Sequence, residues 1–420
     1  MEQAPKSLRL HIGIFGRTNV GKSSLLNFIS GQPTAIISPI AGTTTDVVSK
    51  PMELLPLGPV VFLDTAGLDD ISELGTARLR KTHGVFGQAD IITLVAEAGQ
   101  WGDTEALVVK EAKSRKIPLI TVINKCDIQA PTPEFLEKVK AETGSTVLTT
   151  SSNEPDSLDH FRNIYKQALI EFCPEDFLKP PPLVADLVKP GETVVLLIPI
   201  DLQAPKGRLI LPQVHALRDA LDNDNVAIMV KESRYREALD NLKTPAALAV
   251  CDSQVVDLMV RETPPEITCT TFSIIFARLK GDMAAMAAGT VAIERLKKHG
   301  GKVLIAEACT HHPTEDDIGR LKIPRWLRRY TGRDDIEVDV FAGCNYPEDL
   351  TGYSLVIHCG ACMLNRRAVL SRIQQAHAAG VPVTNYGMCI SYCQGVLRRV
   401  LTPFPDALRA FEEAQSSSSF

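Results

Sequence analysis

Eight consecutive residues near the N-terminus, Gly16-Arg17-Thr18-Asn19-Val20-Gly21-Lys22-Ser23, leave this chain few ways to fold. An apolar run at 9–15 precedes them and a helical pattern follows, so a strand, a glycine-rich turn and a helix stand in succession. Such a turn aims successive backbone N–H groups and a helix dipole at one anion, and the strand that feeds it needs a sheet. Further strands are predicted at 60–63, 91–95, 119–123 and 146–148, alternating with helical stretches and closed by a helix over 158–172. That rhythm predicts a doubly wound α/β domain over 1–172.

Gly16, Asn19, Val20, Gly21, Lys22, Ser23 and Ser24 are the expected phosphate-binding residues. Lys22 would reach the terminal phosphates and Ser23 would ligate Mg²⁺. Asp64-Thr65-Ala66-Gly67 follows the strand at 60–63, where a carboxylate holds Mg²⁺ through water and Gly67 senses the γ-phosphate. Asn124-Lys125-Cys126-Asp127 follows another strand; Asp127 would accept two hydrogen bonds from a guanine edge, which adenine cannot supply. Ser151-Ser152 would close over the base, and Thr44 within Gly42-Thr43-Thr44-Thr45-Asp46 is the expected switch threonine and a further Mg²⁺ ligand. Five motifs in this order predict a GTP site, with Lys22, Thr44, Asp64 and Gly67 as the residues expected to act in hydrolysis.

Over residues 8–172 the set resembles the translation-factor-related GTPases, the family that includes Era, MnmE and Der. Position 68 is leucine, so the glutamine that orients water in Ras-like enzymes is missing. In the potassium-dependent members an asparagine of the phosphate loop helps hold K⁺ where an arginine finger would sit, and Asn19 matches it. The resemblance therefore implies slow hydrolysis, helped by K⁺ and dimerisation.

Beyond the first domain, Lys179-Pro180-Pro181-Pro182 and Lys189-Pro190-Gly191 predict an extended, stiff linker over 173–192. Strand and helix patterns resume at 194–198, 213–221, 226–230, 235–242 and 246–251, giving a second unit over 193–265 that ends at Thr263-Pro264-Pro265. The third unit, 266–420, opens at 272–280 and continues with a long helix over 282–299, which ends on Lys297, Lys298 and His299 before Gly300.

Two short clusters in that last unit carry metal-binding chemistry. Cys309-Thr310-His311 follows the strand pattern at 302–306, and His358-Cys359-Gly360-Ala361-Cys362 follows that at 354–357. If those strands are parallel neighbours, both clusters lie beyond the carboxyl edge of one sheet, where open α/β sheets place ligands. The two-residue spacing of Cys359 and Cys362 lets one turn aim both thiolates at one site. Ten cysteines in a chain with no secretory signal pattern favour metal binding over disulfides. The residue types themselves admit buried thiols, a structural Zn²⁺ or a [4Fe–4S] cluster. Cys389 and Cys393, four apart on a helix after a third strand, fit packing better than ligation. Arg325, Arg328, Arg329 and Arg333 read as a solvated basic face.

Cys-x-His, 46 residues, then His-Cys-x-x-Cys, downstream of a GTPase domain, resembles the [FeFe]-hydrogenase maturation GTPases of the HydF family over the whole chain. The resemblance implies an α/β architecture in which a Ras-like P-loop GTPase domain precedes a dimerisation domain and an iron–sulfur cluster domain. It implies Cys309, Cys359 and Cys362 as thiolate ligands of a [4Fe–4S] cluster, with His311 and His358 beside the unique iron as ligand or neighbour. It also implies a scaffold that takes up a diiron precursor made with two radical-SAM maturases and delivers it to apo-[FeFe] hydrogenase, as a homodimer. The rival expectation is a ribosome- or RNA-associated GTPase with a structural zinc domain. A net charge of −5 speaks against nucleic-acid binding. No apolar run approaches bilayer length, which predicts a cytoplasmic chain without a membrane partner.

Overall fold

A computed structural model describes residues 9–30, 48–65, 84–152, 158–179, 181–200, 209–308, 317–343 and 346–417. The chain divides into two compact units, 1–180 and 181–420.

The first unit is built on six strands: β1 (Leu10–Phe15), β2 (Val48–Leu54), β3 (Gly58–Asp64), β4 (Ile91–Glu97), β5 (Leu119–Asn124) and β6 (Thr146–Thr149). Their order is β2-β3-β1-β4-β5-β6, with β2 antiparallel to β3 and the remaining pairs parallel. Every residue of β1 is buried, as expected of a central parallel strand covered on both faces, and this is why it reads as an almost unbroken apolar run. Helix α1 (Lys22–Ser30) packs Leu25, Leu26, Phe28 and Ile29 into one apolar cluster, shared with the helix Leu158–Glu171 through Phe161 and Tyr165. The buried Tyr165 hydroxyl is satisfied by Thr93 Oγ1 at 2.7 Å. Because β1 lies between β3 and β4, the strand order reverses there, and a crevice opens at the carboxyl ends of the strands.

The second unit holds two four-stranded, all-parallel sheets. The first has the order β10-β9-β7-β8, from β7 (Thr193–Leu197), β8 (Val226–Val230), β9 (Leu248–Cys251) and β10 (Thr268–Thr271). The second has the order β12-β11-β13-β14, from β11 (Lys302–Glu307), β12 (Glu337–Ala342), β13 (Leu355–His358) and β14 (Val383–Asn385). One continuous hydrophobic core serves both sheets.

Three sequence expectations need correction. The stretch expected to be an extended, stiff linker is partly structural: Leu183, Val184 and Val188 are buried in the second unit's core. Asp219 there accepts hydrogen bonds from the backbone N–H groups of Leu183, Val184 and Ala185 at 3.2, 2.8 and 2.9 Å. Proline stops a helix but does not stop its neighbours from burying apolar side chains. The long helix over 282–299 is two helices, Met283–Thr290 and Ala292–His299; Asp282 caps the start, and Gly300 ends the pair as the sequence predicts. Finally, β10 lies past the proline pair at 264–265 yet completes the first of the two sheets, so the expected boundary at 265 falls short of that sheet's last strand.

Candidate functional site: a nucleotide crevice and a thiol-bearing sheet edge

The loop after β1 depends on two glycines. Gly16 has φ +151°, and a Cβ there would stand 2.3 Å from the Val95 carbonyl oxygen. Gly21 has φ +91°, and its Cβ would meet the Asn124 amide nitrogen at 2.3 Å. Asn19, exposed at the crest of the loop, takes φ +64°. The Lys22 ammonium is folded back into the loop, donating to the carbonyls of Gly16 at 3.0 Å and Arg17 at 2.6 Å. Val20 is buried beneath the turn, and Ser23 and Ser24 occupy the first turn of α1.

Ser23 Oγ donates to Asp64 Oδ2 at 2.8 Å, bringing together the two described residues expected to serve Mg²⁺. Asp64 is only 2% exposed, and its Oδ1 is buried with no hydrogen-bond partner among the described residues. Burial holds the Asp64 carboxyl above its usual range, opposed by the Ser23 hydrogen bond and by Lys22 and Lys50. A hydroxyl and an unmatched carboxylate oxygen at the mouth of an anion-binding loop fit a hard divalent cation.

On the other side of the loop Asn124 acts as a clamp. Its amide donates to Val20 O at 3.0 Å, and its Oδ1 accepts from Ser152 N at 3.2 Å and Ser152 Oγ at 2.8 Å. The two motifs expected to hold the base are thereby tied to the one that holds the phosphates. Lys125 (φ +59°) pairs with Glu97 at 2.5 Å, Ser151 is buried, and Asp127 is exposed in the turn beyond β5. Thr44, Gly67 and Leu68 lie outside the described residues. Sequence reasoning missed Glu105: fully buried, it grips Arg17 through two hydrogen bonds of 2.7 and 2.8 Å and accepts from Gly102 N at 2.9 Å. No local signal links residues 88 positions apart.

In the second unit β11 and β13 are parallel neighbours, with Ala306 opposite His358, so the chain segments bearing both clusters leave the same sheet edge. Cys309 and His311 themselves lie outside the described residues. Cys359 continues the ladder by donating its N–H to Ala306 O at 3.0 Å. Its Sγ accepts from Ala308 N at 3.1 Å and Ala361 N at 3.4 Å, the latter from a turn in which Ala361 takes φ +52°. Backbone donors aimed at a sulfur favour its thiolate form, the form that binds metal. Cys362 is partly buried at the far side of the same turn. This donor set fits a soft metal centre.

His358 is almost fully buried. Its Nδ1 lies 3.3 Å from Cys359 O and its Nε2 3.5 Å from Arg372 Nη1, so both ring nitrogens are engaged. Burial, then Arg372, pushes its pKa down to about 3 against the pull of the Cys359 carbonyl, and the ring is neutral. As placed, it braces the cysteine turn. Glu307, at the end of β11, is buried beside Tyr386 and Arg320, at 3.4 and 3.6 Å. Cys389 is buried in the core, and its thiol is pushed up by a hydrogen bond to Cys393 and by burial, as suits packing. Of the basic residues, Arg328 donates to Ile336 O at 3.2 Å and Arg333 pairs with Asp335 at 2.6 Å.

A sheet with this strand order and a phosphate loop at its switch point, with a buried Asp64 beside the loop, defines a Ras-like P-loop GTPase. The model of the 50S ribosome-binding GTPase family matches residues 11–125. Two further models match the rest, the hydrogen maturase F dimerization domain over 183–281 and the hydrogen maturase F tetramerization domain over 284–403; the chain belongs to the hydrogen maturase F family. Among curated proteins, the tRNA modification GTPase MnmE of a Synechocystis strain is 38% identical over 148 residues, 34% of this chain and 30% of that one. The MnmE of a Synechococcus strain is 45% identical over 121 residues, 28% of this chain and 25% of that one. The chain thus spans less than a third of the length of these relatives. Among solved structures, a variant of Aquifex aeolicus Era bound to GDP·AlF4⁻ is similar at 21% identity with a TM-score of 0.36, covering 55% of this chain and 97% of that one. Among the described residues no helix is long and apolar enough to cross a membrane.

Proposed function

We propose that this hydrogenase-maturation GTPase carries a [4Fe–4S] cluster on its second unit and delivers a diiron precursor to apo-[FeFe] hydrogenase. GTP turnover in the first unit would time the exchange of partners. The observation that carries the reading is the Cys359 turn: a thiol preset by two backbone donors, on the strand next to the one that leads to Cys309. Cys359, Cys362 and Cys309 would hold the cluster, with His311 and His358 close to its open iron. Bound there, the cluster supplies an iron with a replaceable ligand. The chain's own residues would prepare the site: the neutral His358 ring braces the cysteine turn, and Ala308 N–H and Ala361 N–H orient the Cys359 sulfur. The precursor is cargo, made by two radical-SAM maturases. In this reading residues 1–172 bind nucleotide, the sheet of β7–β10 dimerises and the remainder holds the cluster. Oligomerisation is supported by the dimerization and tetramerization matches. The edge strand β8 leaves Val226 and Met229 about half exposed, an apolar edge that suits a second copy. The test is anaerobic reconstitution with iron and sulfide. One cubane per protomer and a brown protein support the reading; tight Zn²⁺ with no iron would favour the zinc-domain GTPase instead.

Two expectations concern the nucleotide. Asp127 is free in its turn to meet a guanine edge, and losing a matched donor–acceptor pair is costly in a recognition site. Asp127→Asn should weaken GTP and favour xanthosine triphosphate by a factor of about a hundred in a competition assay. An unchanged GTP preference would remove Asp127 from the site. Hydrolysis should also be slow and K⁺-stimulated, because Leu68 cannot orient water while the exposed Asn19 can meet a cation beside the phosphates. Replacing Na⁺ by K⁺ should raise turnover about tenfold, and Asn19→Ala should erase the difference. Equal rates in the two salts would end the cation argument.

A further inference from the structure

β2 is an edge strand with one face against the core. Opposed residues of an antiparallel pair share a face, and β2 sets Lys50 against Phe62, Met52 against Val60 and Leu54 against Gly58. Leu54, Val60 and Phe62 belong to one hydrophobic cluster with Leu25 and Leu26 of α1, and Met52 packs against it. Lys50 therefore stands where the period-two pattern asks for a third apolar side chain. Its ammonium nitrogen is buried and has no hydrogen-bond partner among the described residues. Two residues along from Phe62, on the same face, is Asp64, whose Oδ1 is in the same condition. A charge left in such a place without an acceptor is costly, so its retention calls for a use. Burial holds the lysine below its usual range, opposed by the charge of Asp64.

We propose that Lys50 competes with Mg²⁺ for Asp64. Its ammonium balances the carboxylate when metal and nucleotide have left, and yields it when they bind. What Lys50 gains from Asp64 in the metal-free state is subtracted from the affinity of the site for Mg²⁺, so the lysine eases metal loss and with it GDP release. In a chain whose nucleotide cycle times partner exchange, this builds exchange into the GTPase sheet itself. The inference rests on the reading of Asp64 as a Mg²⁺-binding residue.

The experiment loads the full chain with a fluorescent GDP analogue and follows release at a series of Mg²⁺ concentrations. Lys50→Met and Lys50→Gln should lower the Mg²⁺ concentration that half-protects against release by about tenfold, while Lys50→Arg stays near wild type. Both neutral variants should melt no lower than wild type, since a buried charge has been removed. An unchanged midpoint overturns the proposal. A raised one does too, because it would place the ammonium on a phosphate rather than against the metal. Unfolding of both neutral variants would assign Lys50 to the fold and equally overturn it. Asp64→Asn is the control for the underlying reading: if it leaves the Mg²⁺ dependence untouched, the metal role of Asp64 fails. If Asp64 matters and Lys50 does not, only the competition fails.

Discussion

On the proposed cluster reading, Cys359→Ser is expected to leave the protein without cluster iron, unable to activate hydrogenase, and still able to hydrolyse GTP. The sulfur it removes is the one that accepts the Ala308 and Ala361 N–H groups. A serine hydroxyl is a poor ligand for iron at neutral pH, and at this position it would take up those donors as an ordinary turn hydroxyl. Cys362→Ala and Cys309→Ser should fail in the same way, since each removes an anionic partner from a cubane. His358→Ala should be milder: the ring braces the turn from a neutral, buried position, and loss of such a support costs about tenfold in metal affinity. GTP turnover should persist in all four, because the nucleotide residues sit in a unit with hydrophobic cores of its own. Iron content and the EPR spectrum of the reduced protein, measured beside the GTPase rate, decide the matter. A serine variant at 359 with full iron and full maturation activity would strike Cys359 from the ligand set.

The second large effect is at the other end of the chain. Gly16→Ala places a methyl group 2.3 Å from the carbonyl oxygen of Val95, a fully buried residue of β4 that hydrogen bonds and packing hold in place. It also asks an alanine to adopt φ +151°, and strained backbone of this kind costs about 1–3 kcal/mol before the clash is added. The loop must then open, carrying with it the Gly16 carbonyl that receives Lys22. GTP affinity should fall by roughly a hundredfold or more, at about 1.4 kcal/mol per tenfold, and the melting temperature should drop. Titration with a fluorescent GTP analogue measures it; binding within twofold of wild type would show that the loop has room the structure does not display. Gly21→Ala should act similarly, through Asn124.

Much of the candidate site was legible because its parts are local. The phosphate loop and the cysteine turn stand directly after a strand, Asp64 and Asn124 are the last residues of theirs, and a strand's carboxyl end is readable from a run of apolar residues. The parallel pairing of β11 with β13 could be anticipated from two such runs and is present. Lys50 was less legible. A lone lysine in a strand reads as solvated until its opposite neighbour is known, and only the pairing with Phe62 turns it inward. Glu105 is likewise an ordinary acid in the first turn of a helix until Arg17 is seen to reach it. The proline-rich stretch before β7 misled for a related reason, because composition reports stiffness and says nothing of burial.

By itself the sequence determined the class of fold, the order of the nucleotide motifs and the residues that could carry a metal. Those depend on short-range periodicity and on chemistry that travels with residue type. Only the tertiary structure decided that β10 completes the sheet of β7–β9, that His358 has both nitrogens engaged, and that Asn124 joins the two halves of the nucleotide crevice. It alone also decided that Lys50 lies on the same sheet face as Asp64, with its ammonium nitrogen buried. The physical reason is common to all four. Register, burial and the direction of a side chain are set by partners distant along the chain, and no window of neighbouring residues contains them.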